Sequence, residues 1–175
     1  KTKDQANATF NPTYDPTISQ EPKPHPRPVL VSACLLGRTC RYDGNHNADP
    51  ELLHRLALRG EQAVPFCPEE SGGLATPRPA AWIESDDAEA VLDGTDRVIT
   101  NTGTDVTAEF LQGAQLALAA CQETGARHAY LKERSPSCGT CTTHVAGAPV
   151  EGPGITTALL RREGSTVEGI EERRP

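Results

Sequence analysis

The run VLVSACL, residues 29–35, is apolar throughout except for Ser32. A strand with one wet face alternates apolar and polar residues, whereas a strand covered on both faces reads as this one does. Both faces are covered when helices pack on either side of a parallel sheet, so the stretch points to an α/β layout. The segments that follow fit that plan. In NADPELLHRLALRG, residues 47–60, Asp49 suits an N-cap, Pro50 the first helical position, and Leu52, Leu53 and Leu56 one helical face ended by Gly60. QAVPFCPE, residues 62–69, reads as a second strand, with Pro65 as the residue that argues against a place in a sheet interior. AAWIES (80–85) and AVLDGTDRVIT (90–100) read as short strands turning at Gly94, an antiparallel excursion. The clearest helix runs from about Asp105 to Thr124, where Val106, Phe110, Ala114, Ala117 and Cys121 recur at helical spacing and Gly125 supplies the stop. HAYLKE (128–133) is a further strand and GITTALLRREG (154–164) a last helix, approached through Gly152 and Gly154. The alternation predicts a single Rossmann-like α/β domain with a largely parallel sheet over residues 29–175.

Upstream of it, residues 1–28 are polar and rich in proline and threonine, without helical or strand periodicity. They read as an extended N-terminal arm, stiffened by the prolines of EPKPHPRP. At 175 residues the chain is one ordinary domain, large enough to bury a core without disulfide staples. Its six cysteines are irregularly spaced, which favours free intracellular thiols over a disulfide framework. The formal charge of -7, with no basic run, argues against an intact nucleic acid as partner. No stretch approaches the roughly 18 to 20 apolar residues of a membrane helix, and we expect a cytoplasmic protein. The chain starts at Lys1 and has no methionine, so we expect the translation start to lie upstream.

Three cysteines hold equivalent places in this plan. Cys34 ends VLVSAC, Cys67 ends AVPFC, and Cys138 lies just beyond HAYLKERSPSC. Loops leaving the carboxyl ends of parallel strands converge on the crevice where ligands bind, so three thiols distant in sequence are expected to meet there. Thiolates are soft ligands for iron-sulfur clusters, cuprous copper or zinc, and three protein ligands leave a coordination position open.

The surrounding motifs carry a resemblance. VSACLLGRTCRYDG (31–44), CPEESGGLATPRPA (67–80), DVTAEFLQGA (105–114), LKERSPSCGT (131–140) and GPGITTALLRREG (152–164) resemble, in order, the motifs of the bacterial thiouracil desulfidase-like family, formerly a domain of unknown function. The resemblance spans about residues 29–170. It implies a 4Fe-4S cluster held by Cys34, Cys67 and Cys138, with one iron open to the sulfur of a thiolated uracil. It further implies Glu69 as the acid or base and Ser135 as the serine that acts with it, Ser137 being its close competitor and a candidate substrate contact. The implied reaction is non-redox, hydrolytic C–S cleavage of a free base or nucleoside to a uracil and sulfide. For Glu69 to work as a base near neutral pH, burial would have to weaken its acidity.

Other residues are weighed against simpler readings. Cys121 lies on the apolar face of the long helix and reads as core. Cys40 reads as a structural thiol in a tight turn, although it belongs to the first motif and stays open as a ligand. Cys138 and Cys141 form CGTC, yet TTHVAGAPVEG (142–152) follows instead of the helix that a dithiol oxidoreductase expects. A zinc site of Cys34, Cys67, Cys138 and Cys141 in a binding module remains open. Arg78 is the candidate substrate contact among Arg38, Arg41, Arg78, Lys132 and Arg134, because prolines flank it. His46 and His144 read as loop residues.

Overall fold

The computed structural model describes residues 25–171. The arm expected over residues 1–28 therefore lies mostly outside the described residues, and its last two residues already belong to a strand. That strand, β1 (Arg27–Ser32), starts beside β2 (Glu61–Phe66), and its pairing with β5 (His128–Lys132) begins only at Leu30. Pro28 thus enters a strand where just one neighbour needs hydrogen bonds. With β8 (Thr166–Ile170), these strands form a four-stranded sheet of order β2-β1-β5-β8 in which every neighbouring pair is parallel. The parallel sheet expected from the apolar run is present. Pro65 is tolerated because β2 is an edge strand.

Successive residues of β1 face opposite layers. Val29 and Val31 pack with Leu52 and Leu56 of α1 (Pro50–Leu58), whereas Leu30 packs with Ala117 and Cys121 of α4 (Thr107–Thr124) and Leu160 of α5 (Ile155–Arg162). Asp49 caps α1, accepting from the amides of Glu51 at 3.0 Å and Leu52 at 3.1 Å. Leu53, expected on the buried face, is 48% exposed, because helical spacing turns it away from Leu52 and Leu56. The core positions expected along α4 are all buried.

A second sheet, absent from the expectation, has the order β4-β3-β6-β7. Here β3 (Ala81–Ile83) and β4 (Val98–Thr100) pair antiparallel, as do β6 (Thr142–Val145) and β7 (Ala148–Glu151). A single parallel pair, Ile83 with Val145, joins the two hairpins. The antiparallel excursion is therefore real, but the segment before Gly94 is a short helix, α3 (Ala88–Leu92), and not a strand. Asp87 decides this by capping it, its carboxylate accepting from the Ala90 amide at 2.9 Å. Among the described residues no helix is long and apolar enough to cross a membrane.

Two contacts position the loops at the sheet's carboxyl end. The short helix α2 (Pro68–Ser71) meets α4 backbone to backbone, since a Cβ on Gly72 would strike the Glu109 carbonyl and one on Gly113 the Pro68 carbonyl. Glu133, 4% exposed, accepts from the Thr140 hydroxyl and from the amides of Thr140, Cys141 and Thr142. It thereby folds residues 133–142 into a tight loop.

Alanine at an exposed helical glycine stabilises by about 1 kcal/mol, but at Gly113 overpacking costs about 1–3 kcal/mol. We expect Gly113→Ala to lower the urea midpoint; an unchanged or higher midpoint would contradict the close crossing. Burial alone would raise the Glu133 carboxyl, yet the hydrogen bonds hold it below its ordinary 4.5. Its contribution to stability is complete above that value and is lost as pH falls through the lower folded value. Glu133→Gln should cost about 1–3 kcal/mol at neutral pH and flatten the acid limb of the stability profile, which urea unfolding at several pH values measures.

Candidate active site

Strand order creates the site. After β1 the chain turns to β2 on one side, and β5 lies on the other, so the crevice opens between the carboxyl ends of β1 and β5. The main-chain ladder of this pair extends only to Val31 and Tyr130, and beyond it the Ser32 hydroxyl accepts from the Lys132 amide at 3.0 Å. Where the strands part there is a cavity of about 350 Å³. Cys34, Cys40, Cys67, Cys138, Glu69, Arg78 and Ser135 all line it.

Cys34 sits on a turn of 3-10 helix (Ala33–Leu36) that Gly37 ends in the left-handed region, at φ 94°. Cys67 occupies the N-cap of α2, and Cys138 follows the turn that Ser135 holds. The Ser135 hydroxyl oxygen accepts from the amides of Ser137 at 3.2 Å and Cys138 at 3.0 Å. The three strand-end thiols predicted to meet do line one cavity. Cys40, read as a structural turn thiol, joins them: it is 2% exposed, and its carbonyl accepts from Arg78 at 3.0 Å and from the Cys67 thiol at 3.8 Å. Cys141 is exposed and does not line the cavity, while Cys121 lies in the core under β1.

Three of the cavity thiols are shifted upward. Hydrogen bonding with Cys34 pushes Cys40 up to about 11, hydrogen bonding with Cys40 raises Cys67, and burial pushes Cys138 up to about 12. Reactive redox cysteines are shifted the other way, so this environment argues against the Cys138/Cys141 dithiol. Coordination by a soft cation deprotonates a thiol outright, so the upward shifts are compatible with a metal-ligand role.

Glu69 projects from α2 and is met by Arg78. Nε of Arg78 donates to Glu69 Oε2 at 2.8 Å and a terminal nitrogen forms an ion pair with the same oxygen at 2.7 Å, so Oε1 is not used by this pair. The same guanidinium donates to the Cys40 carbonyl, to the Ala75 carbonyl at 3.2 Å and to the Thr76 hydroxyl at 3.0 Å. Four of the five N–H donors of the guanidinium are engaged in this way. Arg78, the expected substrate contact, lines the cavity and also ties Glu69 to the Cys40 turn. Glu69 thus meets a cation at one oxygen while it lines the cavity. Ser137, expected as a second substrate contact, is 1% exposed, lies 2.9 Å hydroxyl to hydroxyl from Thr156, and does not line the cavity. The amides that open α5 are engaged by Pro136 and Ser137 carbonyls, which accounts for the glycine-rich entry as structure.

Sequence reasoning missed the far wall. Trp82, His144 and Gly147 come from β3, β6 and the β6–β7 turn, and Lys132 and Arg134 from the end of β5. Only the pairing of β3 with β6 brings the first three to the thiols, and no local pattern announces a pairing between residues some 60 positions apart.

The comparisons agree with this layout. A model of the 2-thiouracil desulfurase family matches residues 29–172. The chain is 41% identical over 142 residues to the Bacillus subtilis (strain 168) protein YbbK, covering 79% of this chain and 93% of that one. It also superposes on a solved structure of TudS, a 4Fe-4S-dependent thiouracil desulfidase, with a TM-score of 0.69 and 45% identity over 82% of this chain and 90% of that one. With the family match running from β1 to beyond β8, and a cavity of thiols at the strand ends, the chain belongs to the 2-thiouracil desulfurase family.

Proposed function

We propose that the chain is a desulfidase for a thiolated uracil, as free base or nucleoside, in which Cys34, Cys67 and Cys138 hold a 4Fe-4S cluster. The observation that carries this reading is the meeting of three strand-end thiols and Glu69 in one cavity. The donor set fits such a group: the sulfurs are soft and line one cavity within the fold. Lys132, Arg134 and Arg78 around the cavity offset the negative charge that thiolates bring, in a chain that carries -7 overall. A volume of about 350 Å³ lies within the range of about 300–1,000 Å³ typical of small-molecule sites.

When bound, the cluster supplies a soft Lewis acid for a thiocarbonyl sulfur and makes the ring carbon more electrophilic. Glu69 accepts a proton from the water that adds to that carbon, with Arg78 fixing Oε2. Ser135 holds the Cys138 turn through its oxygen and keeps its hydroxyl proton available to orient the water. One water is consumed, the C–S bond is replaced by a carbonyl, and sulfur leaves as sulfide with no net electron transfer.

One observation favours a second reading. Single ligand atoms of Cys40, Cys67 and Glu70 lie within 4.8 Å of one another, a grouping that suits a single zinc ion in a binding module. Metal and sulfide analysis of anaerobically purified protein separates the two. Iron with acid-labile sulfide is expected, and stoichiometric zinc without iron would sink the desulfidase.

Cys34→Ser, Cys67→Ser and Cys138→Ser should each lose the iron and the broad visible absorption, while Cys121→Ser and Cys141→Ser keep both. Glu69→Gln should keep the iron and lose sulfide release from thiouracil by about 10²–10⁴-fold; a loaded and fully active variant would remove Glu69 from the mechanism.

A further inference from the structure

The cavity has two chemically different walls. One carries the thiols and Glu69. The other carries Trp82, His144 and Gly147 of the second sheet, to which the desulfidase reading assigns no role.

Register explains how that wall forms. Ile83 of β3 pairs with Val145 of β6, and both face the core cluster that includes Phe110 and Ile155. Side chains alternate along a strand, so the residues just before the pair, Trp82 and His144, stand side by side on the opposite face. Both line the cavity. The indole is also fixed in tilt. A Cβ on Gly147 would lie 3.8 Å from Cε2, Cε3 and Cη2 of Trp82, three alternate atoms of its six-membered ring, so the Gly147 backbone sits over the ring centre. Gly147 has φ 77°, which keeps side chains away from this position and the backbone close.

His144 is half-buried and its side chain makes no hydrogen bond or ion pair with the described residues, so its ring nitrogens are open to a ligand. Burial, with Lys132 and Arg134 nearby, holds the imidazole below its ordinary 6.5, and it is neutral at pH 7. A neutral imidazole can donate to a ring carbonyl or accept from a ring N–H. An aromatic plane beside such a group matches a flat heterocycle whose edge alternates carbonyl and N–H.

We propose that Trp82 and His144 form the pyrimidine-recognition wall: the base lies against the Trp82 indole while His144 hydrogen-bonds its edge, so that the thiocarbonyl is presented to the thiols opposite. The identity of the ring rests on the desulfidase reading, whereas the stacking wall rests on strand register.

Trp82 is the sole tryptophan of the chain, so indole emission reports on this wall directly. The probe is uracil, which has no thiocarbonyl and cannot turn over. Titrating uracil into anaerobically purified, cluster-loaded protein should change Trp82 emission saturably. His144→Phe should weaken that titration about five- to tenfold, and His144→Gln should restore much of it. In sulfide release from 2-thiouracil and 4-thiouracil, Trp82→Ala should raise KM about five- to a hundredfold, the range expected for a base stacked on an aromatic ring. Its kcat should stay within about threefold of wild type, and Trp82→Phe should keep a KM near wild type. Circular dichroism and visible absorption establish that each variant is folded and loaded. Should Trp82→Ala not fold, Trp82→Leu and the wild-type uracil titration decide.

Active wild-type protein whose emission ignores uracil, with KM unmoved in Trp82→Ala and His144→Phe, would overturn the wall and leave the desulfidase intact. Protein that releases no sulfide, yet shows saturable quenching by uracil that His144→Phe weakens, would overturn the activity and leave the wall.

Discussion

The pairing of β1 with β2 on one side and β5 on the other is the constraint from which the site follows. Parallel strands send all their carboxyl ends to one edge of the sheet, and reversing the winding direction at β1 parts the loops there. Cys34, Cys67 and Cys138 are each the product of such an end, so their convergence costs no special geometry. The hydroxyl of Ser32 takes over from the main-chain ladder where β1 and β5 separate, which lets the crevice open without an unsatisfied Lys132 amide. Three long-range residues meet because the sheet leaves them nowhere else to go.

Around that edge, polar side chains act as braces. Arg78 joins Glu69, the Cys40 turn and its own loop, and Glu133 gathers three amides and a hydroxyl from the segment that follows Cys138. Both are buried charges whose desolvation is offset by nearly complete hydrogen bonding. The close crossing of α2 and α4 at Gly72 and Gly113 adds a third brace, one that holds the helix bearing Glu69. Cavity residues on loops are thus as firmly placed as those on strands.

The elements most legible in the sequence are those whose signal is local. Asp49 and Pro50 mark the start of α1, Gly125 the end of α4, and the unbroken apolar run of β1 its double burial. The helix Ala88–Leu92 was read as a strand because five residues hold too little periodicity to tell the two apart, and the deciding bond is made by the Asp87 side chain. The stiff loop around Arg78 points to a ligand contact, and only the tertiary structure shows its bonds to Glu69 and to the Cys40 turn. The pairing of Ser135 with the Cys138 turn, and the turn of Ser137 into the core against Thr156, differ by two residues in one motif and needed coordinates to separate.

By itself the sequence determined the α/β class, the helix boundaries set by caps and glycines, and the family, because these depend on neighbours within a turn or two or on motifs read in order. It also placed the thiols at strand ends. Tertiary structure alone decided that Cys40 joins the other three thiols, that Glu69 faces the Arg78 guanidinium, and that a second sheet closes the cavity with Trp82 and His144. The reason is physical: strand pairing and ion pairing act between residues that are far apart along the chain, and periodicity carries no record of which distant partner a strand or a charge will meet.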